Sequence, residues 1–252
     1  MKPRGRWQGV LVIARLNWPF YLAAVVFLCA SVVGLFQVGS VWLRFGLGMI
    51  ALGCLYFVFV SLGVSHWIYD RSDLYRWKWL AKALPGRAVG CIVFCHSGFD
   101  ESSEMLSGEF PEADYLILDH YDSTWMSEPS IKRARHLYPP VPGTLTVPFD
   151  DWPVEEGWAD VVFGILAIHE LRETEERTDW FREAGRCLGD DGRIVIVEHV
   201  RDVANFLAFG PGFLHFHSKV EWEKSWEVAG LCLVEEMRIT PFVRVFVLKC
   251  NE

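Results

Sequence analysis

Hydrophobic and polar positions divide the chain into two regimes. From Asn17 to Val38 (NWPFYLAAVVFLCASVVGLFQV) and from Phe45 to Val64 (FGLGMIALGCLYFVFVSLGV) no residue is charged. Each run reaches the ~20 apolar residues that a helix needs to cross a bilayer. Neither carries the polar stripe that a surface helix shows at helical spacing. The pattern predicts a transmembrane helical hairpin over residues 1–65, turning at Gly39-Ser40. A cleaved leader is disfavoured by the length of the first run and by the second span that follows at once.

Residues 66–87 change character. Trp67, Tyr69, Tyr75, Trp77 and Trp79 alternate with Arg and Lys, the mixture found at the headgroup level of membranes. An amphipathic interfacial linker helix is expected there, ended by Pro85-Gly86. A helix packed on the following domain is the other reading.

From residue 88 to 252 short apolar runs alternate with helix-compatible stretches. The runs are GCIVFC (Gly90–Cys95), YLILD (Tyr115–Asp119), Thr144–Val147, ADVVFGIL (Ala159–Leu166), GRIVIVE (Gly192–Glu198), Leu231–Ile239 and Phe242–Cys250. Helices are expected near residues 101–110, 131–137, 173–188 and 220–229. Continuous apolar strands separated by helices imply an α/β domain whose parallel sheet is covered on both faces. Ligands in such sheets sit beyond the carboxyl ends of the strands, where strand order switches. Those ends read His96-Ser97-Gly98, Asp119-His120, Phe149-Asp150, Ala167-Ile168-His169 and Glu198-His199.

Composition sharpens this picture. With 52% hydrophobic and 22% charged residues, the chain is not intrinsically disordered. Its net charge of −8 averages two unlike halves. Residues 1–87 hold ten Lys/Arg against two Asp/Glu; residues 88–252 hold fourteen against thirty. The acidic body lacks the basic face that nucleic acid requires. Basic residues flank the spans at Lys2, Arg4, Arg6 and Arg15, then at Arg71, Arg76, Lys78, Lys82 and Arg87, with only Arg44 near the turn. Both termini, and with them the 88–252 domain, are therefore expected on the cytoplasmic side of the inner membrane. The seven Cys form no C-x-x-C pair and are read as buried, reduced thiols.

The segment from Val147 to Val200 resembles the seven-stranded, Rossmann-like (class I) S-adenosylmethionine-dependent methyltransferases, and is similar to the quinone-biosynthesis group among them. The residues that carry the resemblance are WPVEEGWADVVFGILAIHEL and REAGRCLGDDGRIVIVEHV. They include Trp158-Ala159-Asp160 opening the fourth strand, His169 in the loop behind it, and Gly189-Asp190-Asp191-Gly192 before the fifth. The resemblance extends over about residues 88–252 and implies S-adenosylmethionine as cofactor. Of the family's glycine-rich first turn, this chain keeps Gly98, with Phe94 at the acidic position and His96 and Asp100 at the flanking glycines. The implied cofactor contacts are His96, Ser97, Gly98, Asp100, Asp119, His120, Phe149, Asp150 and Ala167. Asp119 lies 21 residues after Gly98 and suits a ribose, whose hydroxyls a carboxylate can accept in pairs. His120 and Phe149-Asp150 would flank the adenine.

His169 is the candidate catalytic base, its loop lying between cofactor and acceptor in the family. Glu198, His199, Phe209, Phe213, His215 and His217 are candidates for the acceptor pocket. An apolar stretch after the fifth strand, together with the hairpin, implies a lipophilic acceptor from the bilayer: a quinone, a polyprenyl compound or a lipid. The His215-x-His217 spacing is too weak to imply a metal, and none is expected. The alternative is a membrane-bound methyltransferase-like scaffold without turnover, to which the altered first turn would belong.

Overall fold

A computed structural model describes residues 4–251 as two compact units. Of these, one holds residues 72–202 and 213–251; the other holds residues 4–71 together with Val203–Gly212.

The second unit is helical. Helices α1 (Gln8–Leu16), α2 (Trp18–Gln37) and α3 (Val41–His66) lead into a π-turn over Trp67–Arg71. Pro19 starts α2 in the first turn, where its missing N–H costs nothing. The only buried residues of α2 and α3 are small: Ala24 and Ser31 on one, Ala51, Ser61 and Ser65 on the other. Small residues let two apolar helices approach closely. Leu47 sits where a Cβ on Gly34 would fall, 2.9 Å away, and Tyr21 bonds Ser61 across the pair at 3.1 Å. The large side chains Phe20, Phe27, Phe36, Trp42 and Phe59 point outward. Both helices are long and apolar enough to cross a membrane, and only 11% of each apolar window is buried, so they are not core helices of this chain.

Helix α1 was not apparent in the hydrophobic pattern. Its first N–H groups, those of Gly9 and Val10, donate to the Asp70 carboxylate at 2.6 and 3.0 Å. That carboxylate also takes His66 Nδ1 at 2.8 Å. A remote residue thus supplies the cap that Trp7, at the N-cap position, does not.

The segment 66–87 is not one amphipathic helix. It breaks into the π-turn, a 3-10 turn (Leu74–Arg76) and α4 (Leu80–Ala83); Trp77, at a left-handed φ of +57°, ends the 3-10 turn and separates it from α4. Trp77 and Trp79 are buried rather than displayed, whereas Trp67 is exposed.

The first unit is built on seven strands: β1 (Cys91–His96), β2 (Asp114–Asp119), β3 (Leu145–Thr146), β4 (Ala159–Ile165), β5 (Leu188–His199), β6 (Leu231–Thr240) and β7 (Val243–Cys250). Their order is β3-β2-β1-β4-β5-β7-β6. The first five run parallel; β7 inserts antiparallel between β5 and β6. This is the sheet the resemblance implies. Strand β5 begins earlier than expected because Leu188 already pairs with Ala159. Helices α5 (Ser103–Ser107), α6 (Pro129–Leu137), α7 (Thr174–Cys187) and α9 (Lys219–Val228) accompany the sheet; α8 (Val203–Phe209) belongs to the helical unit.

Successive residues of β1 and β4 (Ile92, Val93, Phe94, Cys95; Val161, Val162, Phe163) are all buried, so both sheet faces are covered. On one face α7 and α9 supply Trp180, Phe181, Trp222 and Trp226. On the other Phe110 packs against Phe163. Cys95 and Cys187 are buried thiols, but Cys29 and Cys250 are exposed, so the expectation of uniformly buried cysteines does not hold.

Candidate active site at the carboxyl edge of the sheet

Strand β1 lies between β2 and β4, where strand order reverses, and His96 pairs in register with Asp119. The chain leaves β1 through Gly98 at φ +87°, a conformation that favours glycine. Gly98 N–H donates to Asp119 Oδ1 at 2.8 Å, and Tyr121 N–H donates to the same oxygen at 3.0 Å. The other oxygen, Oδ2, holds the Arg135 guanidinium, which also lies 4.2 Å over the Tyr121 ring. A Cβ on Gly98 would meet Tyr121 Cδ2 at 2.8 Å. Asp119 is therefore directed inward, fixing the turn, with both oxygens engaged, and does not offer a free carboxylate to a ribose.

Other groups at this turn are unsatisfied. Both imidazole nitrogens of His96 and the Ser97 hydroxyl are buried and have no hydrogen-bond partner among the described residues. Asp119 Oδ1 is 3.4 Å from His96 Nδ1, but without hydrogen-bond geometry. Burial lowers the His96 pKa, against the pull of Asp119, and favours the neutral ring. Buried polar atoms are normally paired, so three together set this turn apart from the rest of the sheet edge.

Several expected cofactor contacts are spent elsewhere. Asp100 accepts Ser102 and Ser103 N–H at 3.0 and 2.9 Å and the Ser103 hydroxyl, capping the start of α5. His120 is a core residue. Its ring stacks on Trp152 (centroids 5.4 Å) and its Nε2 accepts Trp180 Nε1–H at 3.1 Å. Burial lowers its pKa to about 4, so the ring is neutral. Phe149 is half-buried against the core and Asp150 is exposed.

At the end of β4 the chain wraps around a carboxylate. Glu198 is fully buried, and its Oε1 accepts three consecutive N–H groups: Ala167 (2.9 Å), Ile168 (2.8 Å) and His169 (3.2 Å). Leu166, just before them, is held at φ +52°, a strained value for a residue with a Cβ. Glu198 Oε2 receives His169 Nδ1 at 2.7 Å. Ala167, expected at the cofactor, thus gives its N–H to Glu198. The arrangement fixes the tautomer of His169, with Nδ1–H donated and Nε2 left as an acceptor.

His169 Nε2 faces Glu170 Oε1 at 3.5 Å, and His215 Nε2 approaches the same oxygen at 3.3 Å. His215 Nδ1 lies 3.2 Å from Glu128 Oε1. Burial opposes a charge on His215, but Glu128 and Glu170 outweigh it and lift the pKa to about 9. His217 points elsewhere. Its Nε2 lies 3.1 Å from Arg177 and from the carbonyls of His169 and Leu171. Burial, then Arg177 and Arg172, lower its pKa to about 3. Arg177 also donates to the carbonyls of Leu171 and Arg172 at 2.8 and 2.9 Å, fixing the loop that carries His169. His199 is buried, its Nδ1 on the Phe242 carbonyl at 3.0 Å and its ring stacked on Phe216. Phe209 and Phe213 fall in different units, Phe209 at the end of α8 and Phe213 in the 3-10 turn Gly210–His215.

Sequence reasoning had not singled out Tyr121, Glu128, Arg135, Glu170, Arg172 or Arg177. A cavity of about 300 Å³ opens at the opposite edge, lined by Arg87, Val89, Asp160 and the Gly189–Gly192 turn, and contains none of the candidate residues.

No protein-family profile and no curated protein matches the sequence. Solved structures do. A SAM-dependent methyltransferase from Aquifex aeolicus shares 14% identity over 70% of this chain and 89% of its own, with a TM-score of 0.52. A chain of the complex containing the Haloferax volcanii Trm112 methyltransferase activator shares 15% over 78% and 98%, with a TM-score of 0.51. The PH0226 protein from Pyrococcus horikoshii OT3 shares 13% over 71% and 94%, with a TM-score of 0.50. The likeness is one of fold: the chain carries a Rossmann-like methyltransferase fold together with two long apolar helices.

Proposed function

We propose that the chain is a membrane-anchored, S-adenosylmethionine-dependent methyltransferase acting on a lipophilic acceptor. The observation that carries this reading is the turn after β1, where a buried, left-handed Gly98 stands at the switch point beside three buried, unpartnered polar atoms of His96 and Ser97. Those atoms fit a polar ligand at the place where sheets of this order bind theirs. His96 and Ser97 would hold the cofactor, Gly98 shapes the turn that carries them, and Asp119 acts as a positioning residue by accepting the Gly98 N–H. When bound, the cofactor supplies an activated methyl group on a sulfonium.

The acceptor side belongs to His169. Glu198 orients the imidazole through Nδ1, so the Nε2 lone pair can take a proton from an acceptor hydroxyl or amine. Arg177 and Glu198 hold the loop rigid, which keeps that lone pair aimed without reorganisation. A lipophilic acceptor and membrane residence are supported by two features. The outward apolar faces of α2 and α3 are one. The other is α8, which starts four residues after β5 ends, belongs to the helical unit, and takes a 2.7 Å hydrogen bond from the Tyr56 hydroxyl on its Leu207 carbonyl. The basic flanks of the spans support a cytoplasmic location for the termini and the sheet domain.

The test is transfer of labelled methyl from S-adenosylmethionine in membranes containing the full chain. Label in the organic phase that disappears with His169→Ala supports the proposal; label confined to water-soluble products counts against a lipophilic acceptor. A scaffold without turnover is the second reading, favoured by the engagement of both Asp119 oxygens with backbone and Arg135. It predicts a folded chain that binds no cofactor.

A further inference from the structure

Two histidines at the carboxyl edge are prepared in the same way. His169 gives Nδ1 to Glu198 at 2.7 Å, and His215 gives Nδ1 to Glu128 at 3.2 Å. Each ring therefore presents Nε2, and both Nε2 atoms converge on one oxygen, Glu170 Oε1, at 3.5 and 3.3 Å. The three donor atoms lie within 4.8 Å of one another. A histidine that ligates a metal characteristically donates its other ring N–H to a carboxylate, which sets tautomer and orientation. Here that outer arrangement occurs twice, around one inner carboxylate.

We propose that His169, Glu170 and His215 form a binding site for a divalent transition-metal ion of the zinc class, with Glu198 and Glu128 orienting the two imidazoles. The geometry suits such an ion. Ligands about 2.0–2.1 Å from a tetrahedral centre stand about 3.3–3.4 Å apart, which is close to both separations measured from Glu170. Closure of the third edge requires only that the two rings tilt toward the ion. Two imidazoles and a carboxylate match the donor preference of zinc and of its transition-metal neighbours, and they leave a fourth position open. Three carboxylates, Glu128, Glu170 and Glu198, surround the point, with Arg172 held on the carbonyls of His169 and His215. The site is pre-organised on the inner side, because Glu198 is itself fixed by three backbone N–H groups.

The expected pair His215-x-His217 is not the site, since His217 faces Arg177 and two carbonyls. The metal site stands on these side chains and does not require the chain to transfer methyl groups. An ion and an acceptor proton would compete for the same His169 Nε2, so the two roles exclude each other in one molecule.

The test uses the full chain in detergent, stripped with chelator, and titrated with Co²⁺ while the visible bands of tetrahedral cobalt are followed. Zn²⁺ competition then gives its affinity. One equivalent of Co²⁺, displaced by Zn²⁺, is expected. His215→Ala and Glu170→Gln should each lower affinity about 100-fold or more, and Glu128→Gln about 10-fold, in line with the 10–100-fold effect of outer carboxylates. Glu128 is half-exposed, so its variant keeps the test valid should an inner variant misfold. His136→Ala, on the exposed side of α6, should change nothing. No saturable cobalt band, or binding indifferent to His215→Ala and Glu128→Gln, overturns the site and leaves a protonated His215 bridging two carboxylates. Cobalt binding without cofactor binding supports the site while removing the methyl-transfer reading. Cofactor binding without cobalt does the reverse.

Discussion

Glu198 and His169 form a dyad in which one carboxylate does two jobs. Oε1 gathers the three N–H groups of the turn after β4, and Oε2 lies 2.7 Å from His169 Nδ1. The turn that carries the imidazole is thus shaped by the same group that sets its tautomer. Glu198→Gln separates the jobs. The amide oxygen can still accept the three N–H groups, but the amide nitrogen would then face Nδ1 and move the ring proton to Nε2. Folding should be retained, while methyl transfer falls by about 100-fold or more, the usual contribution of a positioned base. Single-turnover rates and thermal melting of the same preparation check this.

Gly164 underlies that turn. A Cβ there would stand 2.6 Å from Ile168 Cγ1 and 3.0 Å from Ile196 Cδ1. Gly164→Ala should overpack the core, cost about 1–3 kcal/mol, and displace Ile168 with its neighbour His169. A lowered melting temperature is the expected result; an unchanged one would mean that the layer under the dyad is loosely packed.

His120 makes the sheet domain sensitive to acid. Folded, its pKa is lowered to about 4, chiefly by burial; unfolded, it would ionise near the ordinary value of about 6.5. Between those limits the unfolded chain binds a proton that the folded chain does not. Stability contributed by the neutral ring is therefore complete above pH about 6.5 and lost as pH falls toward about 4, by up to about 3 kcal/mol. Denaturant melts across that window should show a shallower loss for His120→Gln, which keeps an acceptor for Trp180.

In the helical unit, Asp70 replaces a local cap for α1. Asp70→Ala leaves the N–H groups of Gly9 and Val10 and the His66 ring without this partner. The cost expected for a lost cap is about 0.5–2 kcal/mol. Amide exchange should quicken in α1 and stay unchanged in β1 and β4; uniform quickening would contradict a local role.

What could be read from the sequence was what the chain states locally. Buried strands are continuous apolar runs, and GCIVFC, ADVVFGIL and GRIVIVE all became central strands. The apolar runs of the hairpin likewise became α2 and α3. The 66–87 segment misled because its aromatic and basic residues alternate plausibly for an amphipathic helix, while nothing local reveals that Trp77 reverses the backbone. At the site, strand-end position brought out Asp119, His169 and Glu198. It could not show which way a side chain turns. Asp119 is drawn inward by Arg135 from α6 and by the N–H groups of Gly98 and Tyr121. His120 is captured by Trp152 and Trp180, each distant in sequence. The convergence of His169 and His215 on Glu170 depends on a long-range approach of two loops, for which spacing carries no signal.

The most direct measurement is calorimetric titration of S-adenosylmethionine into the purified full chain, beside Gly98→Ala and Ser97→Ala. Gly98→Ala forces a Cβ into a left-handed turn and to 2.8 Å from Tyr121. The account predicts one saturable site in the parent chain and at least a tenfold loss in each variant, about 1.4 kcal/mol. A folded parent chain that takes up no cofactor would contradict it.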